Sequence, residues 1–249
     1  MDQENQTIQP VPEISSFITR AANVFSAPGE LYAEVSQSPV RTSSWLAPYI
    51  CSIILSVLVF IALAGNQTLR QQMLEPGRQE LQKQVDEGKM TQDQREQASA
   101  IMEGKIFLVI GTAGAAFFVT AFFFAAPLVL WGIMKFGFKL PRNYKKLLEM
   151  YGLASLIGIL GTIVTLLLMY QFESIHARPG GSLLVLASYD IHNVGHNLLG
   201  SLNVFTLWEV AVTGIGLAKL SGKSTGVAMA TVFGIWLVWT IIASFLGWV

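Results

Sequence analysis

The sequence predicts an all-α fold: a polytopic membrane helix bundle of about five transmembrane helices, preceded by N-terminal amphipathic helices. Three observations predict it. Hydrophobic residues make up 52% of the 249 residues and charged residues only 13%, about half the charged share usual in soluble domains. Five apolar runs are long enough to cross a hydrocarbon core of about 30 Å at ~1.5 Å per residue. The segments outside those runs carry helical spacing and helix caps.

Taken in order, Met1 to Pro12 are polar and read as disordered. The first 40 residues hold no long apolar run, so no secretory signal is expected and insertion falls to the first span. Ile14, Phe17, Ile18, Ala21, Val24 and Phe25 then recur at helical spacing, with Arg20 off that stripe. Pro28, a favoured first-turn residue, opens a second short helix carrying Leu31 and Val35. Residues 1–44 are thus expected to form a polar segment followed by amphipathic helices. These would lie on the membrane surface or pack on the bundle, with a partner's docking face as the alternative.

Residues 45–249 read as the membrane domain. Its spans are expected at Trp45 to Gly65, Ile106 to Met134, Tyr151 to Tyr170, Leu199 to Leu220 and Val227 to Val249. The second is longer than needed, and Pro127 predicts a bend in it. Leu183 to Ala187 is too short to span and reads as interfacial or re-entrant. Trp45, Tyr49, Trp131, Tyr151, Tyr170 and Trp248 sit where interfacial anchors belong. Gly111, Gly114 and Ala115, then Gly158 and Gly161, then Gly214, provide small faces for close helix contact.

The 66–105 loop reads as a charged helical hairpin capping the bundle. Pro76 and Gly77 mark a break, Leu81 and Val85 share a helix ending near Gly88, and Thr91 to Gln94 fits a capping box before Ala98 and Met102. Asn66-Gln67-Thr68 also matches a glycosylation acceptor, a three-residue pattern of low specificity.

Orientation follows from the short loops. Lys135, Lys139, Arg142, Lys145, Lys146, Lys219 and Lys223 fall on one side, against Arg178 alone on the other. The long first loop, with Arg70, Arg78, Lys83, Lys89, Arg95 and Lys105, offsets much of that bias but counts for less because of its length. The expected topology has the N-terminus cytoplasmic and the C-terminus outside, in a bacterial plasma membrane.

Zero net charge excludes the basic excess that a nucleic-acid binder uses on phosphates. The single cysteine, Cys51, cannot form an intrachain disulfide and lies in an apolar run. His176, His192 and His196 fall between the third and fourth spans with Glu173 and Asp190. A helix would place His192 and His196 on one face, and imidazole with carboxylate suits zinc. Nothing fixes the remaining ligands, so His176, Asp190, His192 and His196 are weak candidates and neither metal nor cofactor is expected. Glu209 is the one acid within a predicted span, with no second charge in the other spans to form a relay. It reads as a packing and hydrogen-bonding residue; ion or proton coupling is the sharper alternative. No Ser-His-Asp order, phosphate loop or HExxH helix is present.

The run SLNVFTLWEVAVTGIGLAKLSGKSTGVAMATVFGIW, Ser201 to Trp236, resembles the closing two spans of bacterial Yip1-domain proteins. Phe205, Trp208, Gly216, Leu217 and Ser224 carry that pattern in order. Phe25-Ser-Ala-Pro28 before a short helix, and the basic turn LPRNYKK before a span bearing Tyr and Gly, extend the likeness from about Ile14 to the C-terminus. The long charged first loop departs from the family's usual short connection. The resemblance implies an N-in five-span bundle without enzymatic activity; its eukaryotic relatives are tied to vesicle traffic and small-GTPase partners.

The reading that best fits is a non-enzymatic membrane protein that organises lipids, partner membrane proteins or copies of itself. A transporter or accessory transport subunit using Glu209 is the first alternative, although no internal repeat of the transporter kind is apparent. A metal-dependent membrane enzyme using the histidine loop is the second.

Overall fold

A computed structural model describes residues 15–140 and 143–246. The expectations for Met1 to Pro12, Ile14, Arg142 and Trp248 lie outside those residues. Among the described residues the chain is all helical apart from turns and one isolated bridge, Gly180 to Asn203.

Two short helices come first. α1 (Phe17–Ser26) is capped by Ser16, whose side chain accepts from the Thr19 N–H, and α2 (Pro28–Gln37) opens on Pro28. The first span, α3 (Ser43–Gly65), is followed by α4 (Gln67–Asp86) and α5 (Gln92–Glu103). Thr91 and Gln94 form both halves of the expected capping box. Asn66 is spent as the N-cap of α4. The expected break at Pro76 is not there: α4 runs straight through it. Pro76 removes one helical donor, but α4 is held along its length against α5. The Met102 methyl seats 2.9 Å from where a Gly77 Cβ would be, and Arg78 pairs with Glu103 at 2.6 Å.

α6 (Lys105–Gly132) ends in a π-helical turn, Ile133–Gly137, where the Phe138 N–H donates to the Ile133 carbonyl. α7 (Tyr144–Phe172) begins two turns before the expected Tyr151, with Lys145, Lys146 and Glu149 inside the helix. The apolar criterion excluded those charges, but Asn143 caps the helix ahead of them and the fold buries Lys146 and Glu149. Tyr151 therefore lies two turns inside α7 rather than at its start. The expected fourth span is divided. α8 (Val194–Ser201) stops, and Asn203 caps a new helix, α9 (Val204–Ser221), by accepting from the Phe205 N–H. α9 ends on Gly222, whose φ of +68° is a left-handed cap that favours glycine. α10 (Thr225–Leu246) follows.

Among the described residues five helices, Ser43–Gly65, Lys105–Gly137, Tyr144–Phe172, Val204–Ser221 and Thr225–Leu246, are long and apolar enough to cross a membrane. α9 is the most buried of them and α6 the least. α7 and α9 form the centre: α3 and α6 pack on α7, and α10 on α9. Glycine sets these approaches. A Cβ on Gly152 would stand 2.5 Å from the Trp45 Cα, one on Gly161 2.5 Å from the Phe205 Cβ, and one on Gly111 1.8 Å from the Phe60 ring. Gly114, expected on the same small face as Gly111, meets open space.

The N-terminal helices pack on this core. Leu31, Tyr32 and Val35 of α2 are buried against α9, and the Tyr32 hydroxyl donates to the Met150 carbonyl at 3.0 Å. The expected apolar stripe of α1 is buried only in part: Val24 is buried and Phe17 packs on the core, while Ile18 is 80% exposed, and Arg20, off the stripe, is fully buried.

Candidate functional site

Two polar centres lie inside this bundle. The first joins the N-terminal helices to the start of α7. Arg20 is fully buried and uses its whole guanidinium fork. Nη1 donates to Glu149 Oε1 at 2.7 Å and to Ser44 Oγ at 3.2 Å; Nε and Nη2 reach Glu34 Oε1 at 3.1 and 2.8 Å, and Nη2 reaches Ser38 Oγ at 3.1 Å. Glu149, also fully buried, accepts from the Arg41 N–H on Oε1 and from Lys146 Nζ at 2.8 Å on Oε2. Lys146 Nζ donates further to the Ser38 carbonyl at 2.7 Å. Arg20 and Lys146 balance Glu34 and Glu149 in charge, and burial of such a set is tolerated only when every polar atom is met. Burial alone would raise the Glu34 carboxyl; hydrogen bonds from Ser15 and Arg20 and the Arg20 charge outweigh it and hold the carboxyl below its ordinary range.

Sequence reasoning missed this centre. Arg20 read as a residue off the apolar stripe, Lys146 as part of a basic turn, and no second buried charge was expected. A usable signal was present: Lys146, Glu149, Met150, Leu153 and Ile157 follow helical spacing, which places the two charges on the buried face of α7.

The second centre is Glu209, on α9. Its carboxylate lies against α7 at Gly158, where a Cβ would come within 2.4 Å of Oε2. A cavity of about 330 Å³ opens there between α3, α6, α7 and α9, with Ser52, Ser56, Tyr151, Ser155, Thr162 and Thr206 in its wall. A second, largely apolar cavity of about 430 Å³ reaches Glu209 from the α6 and α10 side, past Trp236 and Trp239. A third, of about 310 Å³, runs from Gly158 and Thr162 to Arg178 and Asn203. Among the described residues no side chain hydrogen-bonds the Glu209 carboxylate. At the N-terminal-helix end, burial and then the Glu209 charge push the Tyr32 phenol far above its ordinary value.

The histidine loop is built differently from the expectation. His192 precedes α8, so it and His196 do not share a helical face; Asn193 caps α8 between them. His196 Nδ1 accepts the Asp190 N–H at 3.1 Å, the His192 N–H donates to Asp190 Oδ1 at 2.8 Å, and His176 stacks on Tyr189 at 4.1 Å. Burial, then the charge of Arg178, holds the His176 imidazole below its ordinary value. No group of three metal-ligating side chains forms among the described residues. Leu183 to Ala187 lies in two 3₁₀ turns, Gly181–Leu184 and Leu186–Ser188.

Five apolar spans, with apolar side chains such as Phe117, Phe118 and Val109 exposed on the outside and charge confined to the ends and to two polar centres, define an integral multi-pass membrane protein. The Yip1 domain matches residues 22–249, and the chain belongs to the Yip1 family. No curated protein and no solved structure gives a match.

Proposed function

We propose that the protein is a non-enzymatic organiser of the membrane, acting by presenting its N-terminal helices on a rigid bundle to lipids, to partner membrane proteins or to other copies of itself. The observation that carries this reading is the Arg20–Glu34–Glu149–Lys146 network. It fixes α1 and α2 to α7 and leaves Ile18 exposed on the outer edge of α1, while Phe25 packs edge-on against Trp208 of α9. An apolar edge held in place at the end of a membrane bundle suits contact with lipid or with an apolar partner. In the proposed topology these helices are cytoplasmic, the α4–α5 hairpin is outside, and the membrane is a bacterial plasma membrane. A photo-crosslinker at Ile18, used in native membranes, tests the function. Defined protein or lipid adducts that disappear in Arg20→Met are expected; an Ile18 that crosslinks nothing above background would sink it. Cysteines at Gln37 and Thr91 in a Cys51→Ala background test the topology, and labelling of both from one side refutes it.

A transport role is the second reading, favoured by the intramembrane cavity at Glu209. Ion-coupled flux in reconstituted vesicles, absent in Glu209→Gln, would place it first.

A further inference from the structure

Two cavities of different chemistry meet at Glu209. The one between α3, α6, α7 and α9 is rich in hydrogen-bond acceptors. Four of its hydroxyls give their protons to their own helices: Ser52 to the Pro48 carbonyl, Ser56 to Ile53, Ser155 to Gly152 and Thr162 to Gly158, at 2.8–2.9 Å. What those four offer the cavity is lone pairs. The Glu209 carboxylate adds acceptors and negative charge, and only Tyr151 and Thr206 keep uncommitted hydroxyl protons. Among the described residues neither cavity is lined by lysine, arginine or histidine. A carboxylate within a membrane span and facing acceptors is costly unless a cation or a proton joins it.

The other cavity supplies an apolar wall, with Ala126, Val232, Ile235 and Trp239 between α6 and α10. Phe122, Tyr151, Thr206 and Glu209 line both, so one ligand can occupy the two together. We infer that this junction is a binding site for an amphiphilic amine: a protonated primary amine whose N–H groups face Glu209 and the Ser/Thr oxygens, carried on a hydrocarbon body lying between α6, α9 and α10. The inference does not depend on the organiser reading.

Titration calorimetry on the full chain in phosphatidylcholine nanodiscs, with empty nanodiscs subtracted, tests it. Dodecylammonium is expected to bind with one site per chain, and about tenfold more weakly to Glu209→Gln, the usual size of one charge-assisted hydrogen bond. Dodecyltrimethylammonium has the same charge and chain but no N–H, and should bind about tenfold more weakly than dodecylammonium to the wild type. Ala126→Leu, which fills the apolar limb, should weaken dodecylammonium and leave butylammonium unchanged. Equal binding to wild type and Glu209→Gln, equal binding of the two dodecyl cations, or displacement of dodecylammonium by sodium would overturn the assignment. The comparisons made on the wild type and on Ala126→Leu decide the matter even where Glu209→Gln fails to fold.

Discussion

Arg20 makes five hydrogen bonds inside the protein, and Glu149, its partner at 2.7 Å, is buried with it. Removing Arg20 takes away those five bonds and one of the two cations on Glu149, leaving Lys146 as its remaining partner, at a cost of up to about 3–5 kcal/mol. Arg20→Met should therefore lower the thermal midpoint in detergent and expose α1 and α2 to protease. Arg20→Lys should rescue little, because an ammonium cannot supply the planar fork. Glu34 carries the pH dependence. Its folded value lies below the ordinary 4.5, so its contribution is complete above about pH 4.5 and fades as pH falls through the lower folded value. Protease sensitivity of α1–α2 should rise in that acid window in the wild type. A Glu34→Gln variant with the same acid response would show that another group is responsible. Ser244 gives an opposite case. Its hydroxyl is buried without a hydrogen-bond partner among the described residues, so Ser244→Ala should be neutral or stabilising, by up to about 1 kcal/mol.

Between elements, close approach is set by single glycines, and these sort cleanly. Gly152→Ala drives a methyl into the Trp45 backbone, which cannot swing aside. It should separate α3 from α7 and cost about 1–3 kcal/mol. Gly114→Ala meets open space and should gain up to about 1 kcal/mol from helix propensity. Thermal unfolding of the two variants side by side tests the distinction, and a Gly152→Ala protein as stable as Gly114→Ala would refute it. The boundary between α8 and α9 rests on Asn203, and Asn203→Ala should cost about 1 kcal/mol through the lost cap.

Over the whole molecule, burial concentrates in α7, α9 and the N-terminal helices packed on them, while α5 has no buried residue. Amide exchange should be slowest in α7 and α9 and fastest in the α4–α5 hairpin; a hairpin protected as well as α9 would mean that something covers it. The sequence by itself determined the class: five spans, two leading helices, a capped hairpin and the Yip1 pattern. Apolar length, proline and cap residues act over a few turns of one chain segment, so they are readable without knowing what lies opposite. The start of α7 escaped because charge density is a poor guide where the fold supplies partners. Only the tertiary structure decided that Arg20 is an interior residue. Its role depends on Glu149, 129 positions away, and on the burial that makes an unpaired charge too costly to keep. Glu209 divides in the same way. Its place inside a span is legible from the run around it, but the acceptor-lined cavity needs four helices brought together, and no single helix carries that pattern.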